Sequence, residues 1–331
     1  MNKTGLKKIS YLLNNLGFKK IKDIKEIKHG MNSKICSFKA DKRKFILKIY
    51  KHKSNFRIIR EKLFYNYLNQ IKITNVVKPQ LFNINKNLSI FPYINGKKIK
   101  KISLSDVRKM SNFINGINQI NKPSRLPLAI DGIKDRKKHL TLCKSKIDQL
   151  KKIKIDSPIK KDFYDFLNEK IIPKYGEIKK KLKTKNFFFT NLKLKKNELI
   201  VSPSDFGFHN VIKRDNILYF IDFEYAGLDD PVKLICDFFC QPDQFINSQK
   251  KNFFLKNLSL KNNIKRDLKL YVKYFLPFHK LKWCCIILNV FKDKNDLKNN
   301  KIYKVKEKIM KIQLSKSKKY FKTNFEHING N

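Results

Sequence analysis

Three side chains in one short stretch of this 331-residue chain have the types and spacing for phosphoryl-transfer chemistry. Asp205 is followed five positions later by Asn210, and Asp222 lies inside an apolar, strand-like run. A carboxylate can orient an acceptor hydroxyl and take its proton. An amide oxygen and a second carboxylate are hard donors able to hold Mg²⁺ against nucleotide phosphates.

The flanking residues supply elements to position them. Leu199-Ile200-Val201 is short and β-prone and carries the chain up to the stretch, while Ser202, Pro203, Ser204 and Gly207 are loop formers. Asn210 to Lys213 and Ile217 to Phe223 flank the polar residues Arg214, Asp215 and Asn216, which predicts a β-hairpin. Such a hairpin returns Asp222 to the neighbourhood of Asn210, so both metal-ligand candidates sit at one end of one ribbon. Glu224, Asp229 and Asp230 follow, the densest acidic cluster in a chain with 27 acids against 76 Lys and Arg. Scarce acids gathered in one place point to a task. A plain hairpin with solvated acids is the competing reading.

These residues resemble the aminoglycoside phosphotransferase and choline kinase superfamily, which shares the protein-kinase fold. The family loop has the form His-x-Asp-x-x-x-x-Asn, matched here by Asp205 and Asn210. Its Ile-Asp-Phe-Glu strand is matched by Ile221-Asp222-Phe223-Glu224, with Tyr225 in the form seen in the choline kinase branch. Gly227, Asp230 and Asp237 match the trailing positions. Pro203 stands where the family usually has its loop His, a residue taken to support the loop rather than to do the chemistry.

The resemblance implies upstream parts, and the N-terminal third offers them. Residues 25–38 read as strand, small-residue turn, strand, and Gly30, Asn32 and Ser33 in that turn are placed to lay backbone N–H groups over phosphates. The segment resembles the family's reduced phosphate loop; no Walker GxxxxGK[ST] occurs. Lys44 to Tyr50 reads as a buried strand whose inner Lys48 would reach the α- and β-phosphates. Ser54 is a candidate N-cap for a following helix, on which Glu61 would pair with Lys48. Leu88 to Gly96 resembles the hinge between lobes, where backbone near Phe91 and Tyr93 would meet the adenine edge.

Composition sets the frame. A chain with 41% hydrophobic and 12% aromatic residues builds a core and is not disordered. It has no 18-residue apolar run, so no membrane span is expected. Six Cys without C-x-x-C spacing suit buried free thiols in a reducing, cytoplasmic setting. The formal charge of +49 raises polyanion partners. However, Lys is spread along the chain beside heavily used Asn and Ile, a background bias, so nonspecific polyanion binding is expected and specific nucleic-acid recognition is not. Helices are expected over 105–120, 161–172 and 265–275, with Pro173 ending or kinking the second. Phe187 to Phe189 reads as a core strand, and the chain from Ser315 as a loosely held basic tail.

The expected fold is therefore α+β: a two-lobed protein-kinase-like architecture with a small antiparallel-sheet N-lobe over 1–95 and a larger, mainly helical C-lobe over 96–331. The expected function is ATP-dependent transfer of a γ-phosphoryl group to a small-molecule hydroxyl, with Asp205 catalytic. Lys48, Glu61, Gly30, Asn32, Ser33, Phe91 and Tyr93 would bind the nucleotide, and Asn210, Asp222 and Glu224 would hold Mg²⁺. The acceptor stays open between a sugar or polysaccharide precursor and choline, ethanolamine or an aminoglycoside. A non-catalytic kinase-fold protein that binds nucleotide or polyanion is the reading of another class. Oligomeric state is not legible.

Overall fold

Alternation of apolar and polar residues every second position builds the sheet, and two-residue turns set its register. In the computed structural model, residues 3–29, 33–51, 55–119, 125–155, 158–183, 193–244, 246–260, 267–292 and 300–326 are described. Helix α1 (Lys3–Asn14) is followed by strands β1 (Lys22–His29), β2 (Ser33–Ala40) and β3 (Arg43–Tyr50), then helix α2 (Phe56–Gln70) and strands β4 (Leu81–Asn83) and β5 (Leu88–Pro92). The five strands form one sheet in the order β1-β2-β3-β5-β4, and every neighbouring pair is antiparallel. Asp41 and Lys42 both have positive φ, at 45° and 67°, which gives the β2–β3 turn the twist that a two-residue hairpin demands.

Successive side chains of a strand point to opposite faces. Cys36, Phe38, Phe45 and Leu47 point to one face and pack with Ile9 and Leu13 of α1 into a closed cluster. Phe18 meets Phe38 and Phe45 edge-on, with ring centroids 5.3 and 5.4 Å away. Ile35, Ile46 and Lys48, one position out of phase, point to the other face and line a cavity.

Helix α3 (Leu104–Ile117) starts at a capping box: Ser103 Oγ accepts from Asp106 N–H at 3.1 Å, and Asp106 Oδ2 accepts from Ser103 N–H at 3.0 Å. Strand β6 (Ile200–Ser202) leads to a one-turn 3₁₀ helix (Phe208–Asn210) and the hairpin β7 (Val211–Arg214) and β8 (Ile217–Phe220). Its turn is two residues, Asp215 and Asn216, both at positive φ, rather than the three expected. The chain divides into two compact units: Met1–Ile130 with Val201–Leu228 and Asn252–Leu258, and Asp131–Ile200 with Asp229–Lys251 and Ser259–Asn331. The first holds the elements above.

The second unit is helical. Helix α4 (Lys138–Lys151) precedes α5 (Lys160–Asp165), which continues through a π-helical turn (Phe166–Ile171) into α6 (Ile172–Lys183). Pro173 therefore does not end the helix; the widened π turn just before it relieves the missing N–H and the ring clash. Helix α7 (Pro231–Phe239) is capped by Asp230, whose Oδ1 accepts from Val232 N–H at 2.9 Å. After α8 (Ser248–Asn257), whose residues from Asn252 belong to the first unit, helix α9 (Leu268–Ile287) runs through Pro277 and joins two apolar stretches into one element. The stretch from Ser315 is no loose tail. It belongs to α10 (Asn300–Phe325), where Leu314, Ser317 and Phe321 are buried and Ser317 Oγ donates to Cys284 O at 3.0 Å. Ser54, residues 121–124 and Phe187 to Phe189 lie outside the described residues. Among the described residues, no helix is long and apolar enough to cross a membrane.

The second unit also buries an ionic network. Asp237 accepts from Lys282 at 2.5 Å and faces His279 at 2.9 Å. His279 meets His139 at 2.8 Å, and His139 meets Asp230 at 3.1 Å. Burial works to raise Asp237, but Lys282, His279 and Lys233 outweigh it and hold its carboxyl well below the usual range. Burial, then the Lys282 charge, pushes His279 down to about 3. A folded pKa below the unfolded one stabilises above the unfolded value and loses that stability as pH falls towards the folded value. For His279 the window runs from 6.5 down to about 3. The urea midpoint should therefore fall as pH drops from about 7 to about 4. His279→Gln should fall less steeply, by up to about 1.4 kcal/mol per pH unit.

Candidate active site

Lys48 sits mid-strand on the cavity face of β3 and is 4% exposed. An ammonium has three N–H donors, and three carboxylates surround this one: Asp222 at 2.7 Å, Glu61 at 2.9 Å and Glu224 at 3.2 Å. Burial disfavours the Lys48 charge, but Asp222 and Glu61 in particular outweigh it and hold its pKa well above that of an ordinary lysine. Burial raises the Glu61 carboxyl, and Lys48 works against that rise.

Helix α2 supplies the grip on the segment after Asp222. Arg57, Arg60 and Glu61 stand at i, i+3 and i+4, hence on one face. Glu61 Oε1 accepts from Phe223 N–H at 3.0 Å, Arg57 donates to Glu224 Oε1 at 2.6 Å, and Arg60 donates to the Ala226 carbonyl at 3.1 Å and to the Leu128 carbonyl. The other Glu61 oxygen also accepts from Tyr50 Oη, itself 3.0 Å from Ser89 Oγ. Gly227 is required where the segment ends, because a Cβ there would collide with Pro127 and Ala129 backbone.

Each key acid is followed by a buried phenylalanine that anchors it. Phe206, after Asp205, stacks with Phe113 and Phe220 at 6.3 and 6.1 Å, while Phe113 and Phe220 stack at 3.8 Å. Phe223, after Asp222, packs on Phe64 at 4.8 Å and on Tyr65 at 5.2 Å. Asp222 itself is held at φ 68°, a left-handed conformation that costs a non-glycine residue about 1–3 kcal/mol. Ser204 has φ 65°, and Asp205 N–H donates across it to Pro203 O at 2.9 Å, a γ-turn of the strained hand.

That turn presents Asp205 with its side chain 38% exposed. Asn210 Nδ2 donates to the Asp205 carbonyl at 2.9 Å and lies 3.3 Å from Oδ2, while His209 Nε2 lies 3.2 Å from Oδ1. Ile221 N–H donates to Asn210 O at 3.1 Å, so the hairpin brings Asp222 back beside Asn210 as expected. A cavity of about 320 Å³ opens here. Lys48, Asp222, His209 and Asn210 form its polar end, and Ile27, Ile35, Ile46, Val77, Phe91 and Ile221 are among its apolar walls. Gly96 lies within 2.8 Å of the Lys213 carbonyl by the reach of a Cβ, and Lys97 and Lys213 exchange two backbone hydrogen bonds of 2.9 Å, tying the expected hinge to the hairpin.

The donor set suits a divalent cation. Lys48 and Arg57, two cations, face the three carboxylates Glu61, Asp222 and Glu224, with Asp205 nearby in the same unit. With Asn210 Nδ2 committed to the loop, its Oδ1 is the end left for a cation, and Asp222 is 31% exposed. Two protein oxygens, completed by phosphate and water, are an ordinary Mg²⁺ set. Among the described residues no cluster of three or more His, Cys, Asp or Glu is arranged to hold a metal.

The structure thus brings Lys48, Glu61, Asp205, Asn210, Asp222 and Glu224 together within the first unit. Glu224 is 3% exposed and held between Arg57 and Lys48. Phe91 and Tyr93 line the cavity, although the Tyr93 N–H is already given to Lys44 O at 3.0 Å. Ser33 opens β2 opposite Tyr50 and is not part of the lining; Gly30 and Asn32 lie outside the described residues. Tyr50, Arg57 and His209 were not expected from sequence. Tyr50 was findable, because it stands two residues after Lys48 on one strand face, and Arg57 likewise, four before Glu61 on one helix face.

No protein-family model and no curated protein matches the chain. Solved structures do. The spectinomycin phosphotransferase APH(9)-Ia in complex with ADP and spectinomycin superposes with TM-score 0.64 at 12% identity, over 94% of this chain and 98% of that one. The choline kinase LicA from Streptococcus pneumoniae superposes with TM-score 0.62 at 15% identity, over 96% and 99%. A macrolide 2′-phosphotransferase type I gives TM-score 0.63 at 11% identity, over 95% and 97%. The likeness is one of fold: the chain has the two-lobed α+β kinase-like architecture of these proteins.

The Tyr50 hydroxyl has a stability consequence. Tyr50→Phe removes a donor to a buried carboxylate and should destabilise the protein by about 1.5–3 kcal/mol, read from the urea midpoint. A loss under about 0.5 kcal/mol would mean that the hydroxyl does not carry part of the Glu61 charge.

Proposed function

We propose that this protein is an ATP-dependent phosphotransferase that moves the γ-phosphoryl group to a hydroxyl of a small molecule. The observation that carries this reading is the convergence of Lys48, Glu61 and Asp222 at the polar end of an apolar cavity, beside the Asp205–Asn210 loop. An apolar slot suits a nucleotide base, and a buried ammonium at its end suits phosphates.

In this reading Asp205 orients the acceptor hydroxyl and accepts its proton. Lys48 exchanges its contact with Asp222 for phosphate oxygens, while Glu61 keeps the ammonium in place. Asn210 and Asp222 hold Mg²⁺, which when bound neutralises charge on the phosphates. Arg57 and Glu224 fix the segment after β8 from which Asp222 projects, and Glu224, buried between Arg57 and Lys48, acts there rather than on a metal. The N-lobe over 1–95 binds nucleotide, and the C-lobe over 96–331 carries the loop and the acceptor pocket.

The acceptor in this proposal is a sugar or polysaccharide-precursor hydroxyl rather than a cationic aminoglycoside or choline. Supporting this, Glu61, Asp222 and Glu224 are already paired with Lys48 and Arg57, and the chain is basic throughout. A cytoplasmic setting is proposed from the six cysteines, all buried and free.

The test is Mg²⁺-dependent ADP release from ATP across sugars, amino alcohols and aminoglycosides. Asp205→Ala and Asp222→Ala should each lower acceptor-stimulated kcat by about 10²- to 10⁴-fold. Turnover insensitive to Asp205→Ala, or binding that only tracks salt concentration as polyanion capture does, would sink the proposal.

A further inference from the structure

The Asp205 carboxylate is met on both oxygens by consecutive residues of one 3₁₀ turn. Asn210 Nδ2 lies 3.3 Å from Oδ2, and His209 Nε2 lies 3.2 Å from Oδ1. Phosphoryl transfer as proposed uses Asp205 and Asn210 but assigns His209 nothing.

The ring's other nitrogen decides its protonation pattern. His209 Nδ1 is buried and has no hydrogen-bond partner among the described residues. A proton on Nδ1 would leave a buried N–H orphaned and point the Nε2 lone pair at a carboxylate oxygen. A proton on Nε2 makes one charge-assisted hydrogen bond and leaves only a lone pair unmatched, the cheaper arrangement. His209 therefore donates through Nε2–H to Asp205 Oδ1.

The packing of the turn does not call for an imidazole. Phe208, 1% exposed, anchors the turn, while the His209 side chain is 31% exposed and borders the cavity. Other loop groups act locally. Pro203 has no N–H, Ser202 Oγ accepts from Ser204 N–H at 3.0 Å, and Ser204 Oγ reaches towards Ile130 O at 3.5 Å. The strained γ-turn aims the Asp205 backbone but leaves its carboxylate free to rotate about two side-chain torsions.

We infer that His209 is the positioning residue for Asp205: its Nε2–H pins Oδ1 so that Oδ2 faces the acceptor hydroxyl and receives its proton. The inference rests on the phosphotransfer reading above. His209 also borders the cavity assigned to the nucleotide, so its action through Asp205 is read from the double-mutant cycle and the ring tautomer rather than from nucleotide affinity.

The experiment is a double-mutant cycle on acceptor-stimulated ADP release, joined to nitrogen–proton NMR of the histidine rings of the full chain. His209→Leu should lower kcat by about 10- to 100-fold. His209→Gln, whose amide can still donate, should recover most of the loss. In an Asp205→Asn background, His209→Leu should cost little more, since residues acting as a unit are not additive. A His209→Leu enzyme as fast as wild type overturns the inference, and so does an equal loss with or without the Asp205 carboxylate. If the wild type turns over no acceptor, the phosphotransfer reading falls separately, and NMR decides the contact. An Nε2–H tautomer in wild type that is lost in Asp205→Ala upholds the tether, and an Nδ1–H tautomer in wild type overturns it.

Discussion

One buried ammonium organises the first unit. Lys48 lies on β3, yet its three carboxylates come from two other segments, position 61 on α2 and positions 222 and 224 after β8. A single buried charge would be costly, and so would any one of the three acids alone. Each becomes tolerable only when sheet, helix α2 and the segment after β8 are all in place. The interaction therefore acts less as a source of stability than as a condition on geometry. The chain cannot bury Lys48 without also bringing Asp222 to the mouth of the cavity.

Shape is enforced around that charge by apolar packing and local strain. Phe206 and Phe223 follow Asp205 and Asp222 directly, so burying the rings fixes where the acids emerge. Positive φ at Ser204 and Asp222 stores strain of about 1–3 kcal/mol each at two positions that flank the proposed chemistry. Helix α2 over-determines the second of these through three contacts on 223–226, which lets an unfavourable conformation persist.

The second unit buries charge to a different end. Asp229, Asp230 and Asp237 are nearly or fully buried and are paired with Lys233, His139, His279 and Lys282. Asp205 and Asp222, by contrast, keep about a third of their side-chain surface. Paired charge without access is a structural device, whereas paired charge with access can exchange its partner for a ligand. The acidic cluster singled out by composition, Glu224, Asp229 and Asp230, is buried throughout, so the accessible acids Asp205 and Asp222 lie outside it and only their surroundings tell the two kinds apart.

The local pattern was legible from the residues alone. Loop and hairpin signals placed Asp205 in its loop and brought Asp222 back beside Asn210, and strand alternation placed Lys48 on an inner face, because turn chemistry and two-residue periodicity act over a few residues. The strand expected through Phe223 ends at Phe220, leaving Asp222 beyond it at positive φ, and Asn210 sits in the 3₁₀ turn rather than in the hairpin strand. The segment from Ser315 misread, and the end expected at Pro173 did not come, for the same reason. A π turn and the docking of α10 by Ser317 on Cys284 are tertiary compensations that propensity does not encode. Equally beyond reach was the approach of His209 to Asp205, whereas Tyr50 and Arg57 share a face with Lys48 and Glu61 and were missed rather than hidden. The sequence by itself determined which groups are present and on which face of which element each stands. Only the tertiary structure decided which charges meet, because partners 160 or more residues apart, such as Glu61 and Phe223, are brought together by the burial of everything between them.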